Sequence, residues 1–391
     1  MSTHDIGFVG AGQLARMAGE AASALGLSMA VLAERPDDAA CGVAAEVVLG
    51  SPFVARDLRA LAERCAVVTF DHEQVDLDIV AGLSSEGFVL RPGAQTLEFA
   101  VDKAHMRRVL DAAGVAMPAY EILGAGPDAL ATVAPFAAAH GWPVMIKAAR
   151  GGYDGKGVWP VANEAEADEV LAHIDGPIVV EELLPLDAEL AVLVARRPSG
   201  ASAAWPAVET AQVGGVCREV LVPGRLDREV SEAASALGQK VAEIVGAVGV
   251  MAVELFWSRG RLLVNEVATR PHNSGHWTIE GAVTSQFENH LRAALDLPLG
   301  STGPQHAQVA SVNVFGGPAG EDPAQLRARG LAVEGAHVHL YGKEPRPGRK
   351  LGHVTVCGDD AEVVRARAWS AARALGTPVP EGLVVPAEAA P

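Results

Sequence analysis

The opening run IGFVGAGQLARMAGEAASALGLSMAVL places an apolar strand, a glycine-bearing turn, an amphipathic helix and a second apolar strand in direct succession. Strands are expected at Ile6 to Val9, Met29 to Leu32 and Ala66 to Thr69, with helical periodicity between them. That alternation implies a doubly wound parallel sheet. Further along, PVMIKAARGGYDGKGVW, PIVVEELL and ELAVLVARR read as short strands joined by glycine-rich turns, an α+β pattern of lid-like character. A long helix is expected around Ala233 to Val248, ahead of the strand pair VMAVELFW and RLLVNEVA. After about Gly303 the pattern returns to short strands around a basic loop, YGKEPRPGRKLGH.

A chain of 391 residues exceeds one compact core, and at about 150 residues per domain it implies two or three lobes. The net charge of −17 argues against bulk binding to nucleic acid or an anionic membrane, so any anionic ligand must meet a local cluster of Lys and Arg. Cys41, Cys65, Cys217 and Cys357 form no CxxC pair and read as reduced thiols. The start MSTHDIGFVGAG enters a strand without a signal-like apolar run, and no stretch reaches membrane-spanning length. A soluble, cytoplasmic protein is expected.

Five motifs carry chemistry. GAGQLA at Gly10 to Ala15 fits GxGxxA and, with Glu34 after the second strand, leaves a dinucleotide site open; a tight strand-to-helix turn explains the glycines equally. RGGYDGKG at Arg150 to Gly157 suits a hairpin folding amides and an ammonium over a polyphosphate, with Lys147 on the strand before it. It lacks the GK[ST] ending of a Walker A loop, and a plain hairpin tip is the other reading. VEELL at Val180 to Leu184, followed by Glu189, suits an adenosine site, where strand-end backbone meets the adenine edge and a carboxylate accepts from ribose; an exposed strand end is the alternative. In VELFWSRGRLLVNE, Glu254 and Glu266 are symmetric about Gly260, so a turn centred there sets them face to face. Two carboxylates that close repel unless a divalent cation lies between them, and solvated acids are the alternative. Finally, Lys343, Arg346, Arg349 and Lys350 gather in a Pro/Gly loop that suits a phosphate or is merely solvated.

The segment LLVNEVATRPHNSGHWT invites zinc at Glu266, His272 and His276, because the two His stand i, i+4. Pro271 and Gly275 argue against a helix there.

Together these pieces resemble the ATP-grasp superfamily and, within it, the N5-carboxyaminoimidazole ribonucleotide synthetase family. GAGQLARM, GGYDGKG, GVMAVELF, NEVATRPHNSGHWT and PGRKLGH carry the likeness over nearly the whole chain, RPHNSGHWT followed by SQFENHLRA most specifically. The resemblance implies a Rossmann-like domain at 1–102, an ATP-grasp domain at 103–302 with a lid at about 118–185, and a small β-rich domain at 303–391. It implies that Lys103 and Lys147 contact phosphates and that Gly152, Tyr153, Asp154, Gly155, Lys156 and Gly157 cover the triphosphate. Glu181, Glu182, Leu183 and Leu184 would bind adenine, and Glu189 the ribose. Glu254 and Glu266 would hold magnesium, or manganese, beside Asn265. Arg270 would hold bicarbonate or carboxyphosphate, with Asp154, His272 and Asn273 at the reacting centre. Tyr153, His272, Asn273, Lys343, Arg349 and Lys350 would bind 5-aminoimidazole ribonucleotide. ATP, bicarbonate and a homodimer are implied as well. The family often has GGGQLGRM and FEFENV where this chain has GAGQLARM and FDHEQV, and Gln212 stands where a His can contact nucleotide. Two other readings share parts of this pattern: another ATP-grasp former of acyl phosphates, such as formate-dependent glycinamide ribonucleotide transformylase, and a dinucleotide-binding regulator without catalysis.

Overall fold

A computed structural model describes residues 3–124, 129–152, 157–318 and 320–386. Three sheets follow one another along the chain. The first contains β1 (His4–Val9), β2 (Met29–Ala33), β3 (Glu46–Leu49) and β4 (Cys65–Phe70) in the order β3-β2-β1-β4, all parallel. Its strands are apolar on both faces because helices cover both. Ile6 and Phe8 pack with Leu14 and Met17 of the Gln13–Ala24 helix, whereas Val9 and Leu32 pack with Leu58 and Leu61 of the Ala55–Ala62 helix. The expected doubly wound sheet is present. It gains β3, a short, half-exposed edge strand whose sequence EVVL carries little pattern.

The second sheet is antiparallel and contains β5 (Tyr120–Leu123), β6 (Val144–Ala148), β7 (Val158–Val161) and β8 (Ile178–Glu182) in the order β5-β8-β6-β7. One face is covered by helices Leu130–His140 and Glu164–Leu171, through Val133, Phe136, Ala167, Val144, Ile146 and Val180.

The third and largest sheet comprises β9 (Ala188–Arg196), β10 (Ser202–Ala204), β11 (Val208–Val213), β12 (Val216–Val222), β13 (Gly249–Ser258), β14 (Arg261–Ala268), β15 (Gln308–Phe315), β16 (Ala336–Leu340) and β17 (Lys350–Gly358). Its order is β14-β13-β9-β11-β12-β15-β17-β16, with β10 on β9. The long helix expected near Ala233 spans Arg228–Val245 and stops where Gly246 turns left-handed, at φ 66°. It crosses β9 closely enough that a Cβ on Gly238 would lie 2.6 Å from Val192. The strands after Gly303 are not short, since β15 and β17 have 8 and 9 residues, and they extend the central sheet through a β12–β15 ladder. The Ala361–Ala374 helix seals that junction: Arg365 makes two bonds to the buried Glu219 of β12, at 2.8 and 2.9 Å, and Trp369 Nε1 donates a third at 2.8 Å. Among the described residues no helix is long and apolar enough to cross a membrane.

Candidate active site

The β13–β14 hairpin sets the two acids face to face by a route other than symmetry about Gly260. Its turn holds two residues, Arg259 and Gly260, both at positive φ (49° and 73°), and Ser258 pairs with Arg261. That register alone would place Asn265 opposite Glu254. A bulge intervenes: Leu255 pairs with Val264 but Glu254 pairs with Glu266, which leaves Asn265 as the extra residue. Glu254 accepts from His272 Nε2 at 3.2 Å, and Gln212 on β11 also hydrogen-bonds to it. Burial would raise the Glu254 pKa, but His272, Gln212 and the charge of Arg270 hold it below the usual carboxylate range. Among the described residues Glu189 on β9 has no such partner, and burial followed by the Glu254 charge pushes it up to about 7.

A hard divalent cation fits this pair, since all the donors that face each other are carboxylate oxygens and Asn265 adds an amide. Among the described residues no group of three or more His, Cys, Asp or Glu could hold a metal, so the pair leaves coordination positions open to a bound anion or water. The zinc trio does not assemble. His276 is buried against His353 and Phe287, at centroid distances of 4.8 and 5.9 Å, while His272 reaches Glu254. The segment forms one 3-10 turn, Asn273–Gly275, instead of a helix that would align the two rings.

Cations converge on the same acids. Lys103, first residue of the Lys103–Ala112 helix, donates to Glu266 at 3.1 Å. Lys147 on β6 is buried and donates to Asn265 Oδ1 at 3.1 Å and to Glu181 Oε2 at 2.6 Å. Glu181 does not present its carboxylate at an open strand end: it is 2% exposed and held by Lys147 and Arg107. Glu182 gives its backbone N–H to Ala119 at 2.9 Å, and beyond it Leu183 is exposed and Leu184 half-buried. Gly157 has φ 73°, and a Cβ there would lie 3.2 Å from the Gly152 Cα, so this end of the glycine-rich segment does need glycine. Tyr153, Asp154, Gly155 and Lys156 lie outside the described residues.

Next to the acids, Arg270 Nε donates to Glu73 at 2.7 Å, and Lys350 at the start of β17 donates to Asn273 Oδ1. Lys343 donates to Gln13 at the start of the first helix and lies over the Tyr341 ring. Arg349 points elsewhere, donating to the Glu344 carbonyl at 3.0 Å. The turn at Gly10 to Ala15 is occupied by protein: Asp71, just after β4, accepts from Gly12 N at 2.8 Å and Ala15 N at 2.7 Å, and Glu34 is exposed.

This arrangement matches known proteins along the whole chain. The ribonucleotide synthetase preATP-grasp domain matches residues 1–101, the ATP-grasp domain residues 108–287, and the phosphoribosylaminoimidazole carboxylase C-terminal domain residues 310–367. The N5-carboxyaminoimidazole ribonucleotide synthase of Mycobacterium leprae is 46% identical, covering 91% of this chain and 84% of its own. The chain belongs to the N5-carboxyaminoimidazole ribonucleotide synthase family. The synthase of Corynebacterium ammoniagenes is 41% identical over 94% of this chain and 91% of its own. The crystal structure of the Thermus thermophilus synthetase superposes with a TM-score of 0.85 at 38% identity, over 94% of this chain and 98% of that one. That of the Aspergillus clavatus synthase, in complex with ADP and 5-aminoimidazole ribonucleotide, does so at 0.87 and 29%, over 96% and 99%.

Within this ATP-grasp fold, three residues that sequence reasoning passed over stand in or behind the cleft. Glu73 belongs to the FDHEQV segment, which is the only signal that pointed to it. Gln13 lies inside GAGQLARM but meets Lys343 from the far end of the chain. Arg107 carries no motif at all.

Proposed function

We infer that this synthase-family chain is an ATP-dependent ligase that carboxylates 5-aminoimidazole ribonucleotide with bicarbonate, giving N5-carboxyaminoimidazole ribonucleotide, ADP and phosphate in purine biosynthesis. The observation that carries the reading is the convergence of Glu254 and Glu266 with Lys103 and Lys147 on one side and with Arg270, His272 and Lys350 on the other. The first group suits a metal-bound polyphosphate, the second a small anion and its acceptor.

Glu254 and Glu266 would hold magnesium, which neutralises charge on the transferring phosphoryl. Lys103 and Lys147, which sit against Glu266 and Asn265, would contact the phosphates, with Gly152 and Gly157 at the ends of the covering segment. Glu182, Leu183, Leu184 and Glu189 line the nucleoside end, and Gln212 fixes Glu254. A bicarbonate oxygen attacks the γ-phosphorus, ADP leaves, and carboxyphosphate forms beside Arg270. The amine nitrogen then attacks the carboxyl carbon, the C–O bond to phosphate breaks, and the amine proton leaves with the phosphate. His272, Asn273 and Lys350 orient the acceptor, and Lys343 its 5′-phosphate; Tyr153 and Asp154 are assigned by the resemblance alone. The division at 102 and 302 is part of this reading, as are a homodimer and a cytoplasmic location. The formyl-transferring alternative is not favoured, since the C-terminal match is to a carboxylase domain.

Phosphate release from ATP with magnesium and bicarbonate should require 5-aminoimidazole ribonucleotide. Glu266→Gln should lower that turnover at least a hundredfold while the circular dichroism spectrum stays unchanged, on the order of a lost charged ligand to the transferring group. Wild-type rates in Glu266→Gln would remove the metal assignment, and release that needs a different acceptor would remove the substrate.

A further inference from the structure

Behind the phosphate side of the cleft lies a buried cluster with more positive than negative charge. Glu181 is 2% exposed and Arg107 1%. Arg107 gives two N–H groups to one oxygen of Glu181, Nε at 2.8 Å and Nη2 at 2.6 Å to Oε1. Lys147 takes the other oxygen, Oε2, at 2.6 Å. Two cations thus share one carboxylate, and among the described residues the other side-chain contacts of Arg107 are neutral: Met117 Sδ at 3.5 Å and the Val264 carbonyl at 3.4 Å. A buried surplus charge is costly unless an anion completes it. A Lys–Glu pair alone would have been neutral and cheaper to bury. The surplus faces the two acids: Lys147 also reaches Asn265, the bulge residue between them, and feels the charge of Glu266.

We propose that Arg107 is a positioning residue that, by holding one oxygen of Glu181, leaves Lys147 a net positive charge to offer the nucleotide phosphates. The proposal rests on the assignment of Lys147 to those phosphates. Burial holds the Lys147 pKa below the usual lysine value, and the Arg107 charge adds to that lowering while Glu181 and Glu266 oppose it. The carboxylate must therefore stay close to keep the ammonium charged, while the two N–H groups of Arg107 on its other oxygen keep it from cancelling that charge. Burial would likewise raise Glu181, and Arg107 with Lys147 holds it below the usual range. The elements involved add a second consequence. Arg107 comes from the Lys103–Ala112 helix, Glu181 and Lys147 from β8 and β6 of the second sheet, and Asn265 from β14 of the third. The aim of Lys147 is therefore fixed by the same contacts that join the second sheet to the rest of the molecule.

The test is the dissociation constant of MgADP, measured by calorimetry on the full chain, together with KM for each substrate. Arg107→Gln keeps a donor for Glu181 but loses the charge, and should bind MgADP weaker by on the order of ten- to thirtyfold, as one partly screened unit charge dictates. Its KM for 5-aminoimidazole ribonucleotide should not move. Arg107→Lys should recover most of the affinity, and the double variant Arg107→Gln/Glu181→Gln, with one net positive charge again, should bind within about threefold of wild type. The loss should persist in added KCl, because the cluster is shielded from solvent ions. Wild-type affinity in Arg107→Gln, or a double variant weaker than that single one, would overturn the proposal. Lys147→Met separates the two levels: if it binds MgADP as wild type does, the phosphate assignment of Lys147 falls and takes this proposal with it. If Lys147→Met is weakened while Arg107→Gln is not, only the role of Arg107 falls.

Discussion

Asp71 decides what the glycine-rich turn after β1 can accept. In a dinucleotide-binding fold the amides at that helix N-terminus face a pyrophosphate. Here both Asp71 oxygens take those amides, and a Cβ on Gly12 would lie 2.3 Å from Asp71 Oδ2, so the glycine makes room for a carboxylate of the same chain. Asp71→Asn should destabilise the fold by about 1–3 kcal/mol in urea melts, since one charge-assisted acceptor becomes an NH2 group facing an N–H. It should gain no NADH binding in a fluorescence titration, because the site is filled by protein in both forms. Sequence reasoning left this turn open for a physical reason: GxGxxA states that something approaches the backbone, not what. The same holds for Glu73 and Arg107, whose partners Arg270 and Glu181 are remote in sequence and join no local pattern.

The β13–β14 hairpin shows how an element can reach an expected geometry by an unexpected path. The alternation of apolar residues fixed both strands, and the facing of Glu254 and Glu266 was legible, but only by placing the turn centre on Gly260. The real turn is half a residue earlier, and the bulge at Asn265 compensates. A bulge leaves little trace in sequence, because it is selected by what its extra residue touches. In this hairpin that residue touches Lys147. Deleting Asn265 should therefore produce a regular hairpin in which the remaining Glu still faces Glu254. The deletion protein should keep its circular dichroism spectrum and melt within a few degrees of wild type. It should bind MgADP weaker by on the order of fivefold or more, the loss of one hydrogen bond to a charged group. An affinity equal to wild type would mean that the bulge serves the strand and not the lysine.

At the scale of the molecule, the three sheets are joined by buried polar contacts that no single sheet contains. Sequence periodicity located the strands, yet it could not show that β15 and β17 continue the central sheet, since pairing between remote antiparallel strands is not a local property. The same limit hides His290. This residue of the Gln286–Ala294 helix links the first sheet to the third: its Nδ1 accepts from Val250 N at 3.0 Å, and its Nε2 lies 2.9 Å from Thr69 Oγ1. Gly249, at φ 99°, lets the strand pass beneath the ring, where a Cβ would come within 2.9 Å of it. Burial pushes the His290 pKa down to about 3, against about 6.5 in an unfolded chain. Between those values the unfolded state holds the additional proton. The contribution is thus complete above about pH 6.5 and is lost as pH falls toward 3. His276 and His353 are also buried and lie well below the usual value, so the whole protein should lose stability steeply through this range. His290→Asn should be less stable than wild type at pH 7.5, because the Thr69 and Val250 contacts no longer both fit. Around pH 5 its stability should nevertheless fall less steeply, by about 1.4 kcal/mol per pH unit, the slope of one proton. Urea melts of both proteins at intervals from pH 7.5 to 4.5 check this, and parallel slopes would mean that His290 does not stay neutral in the folded state.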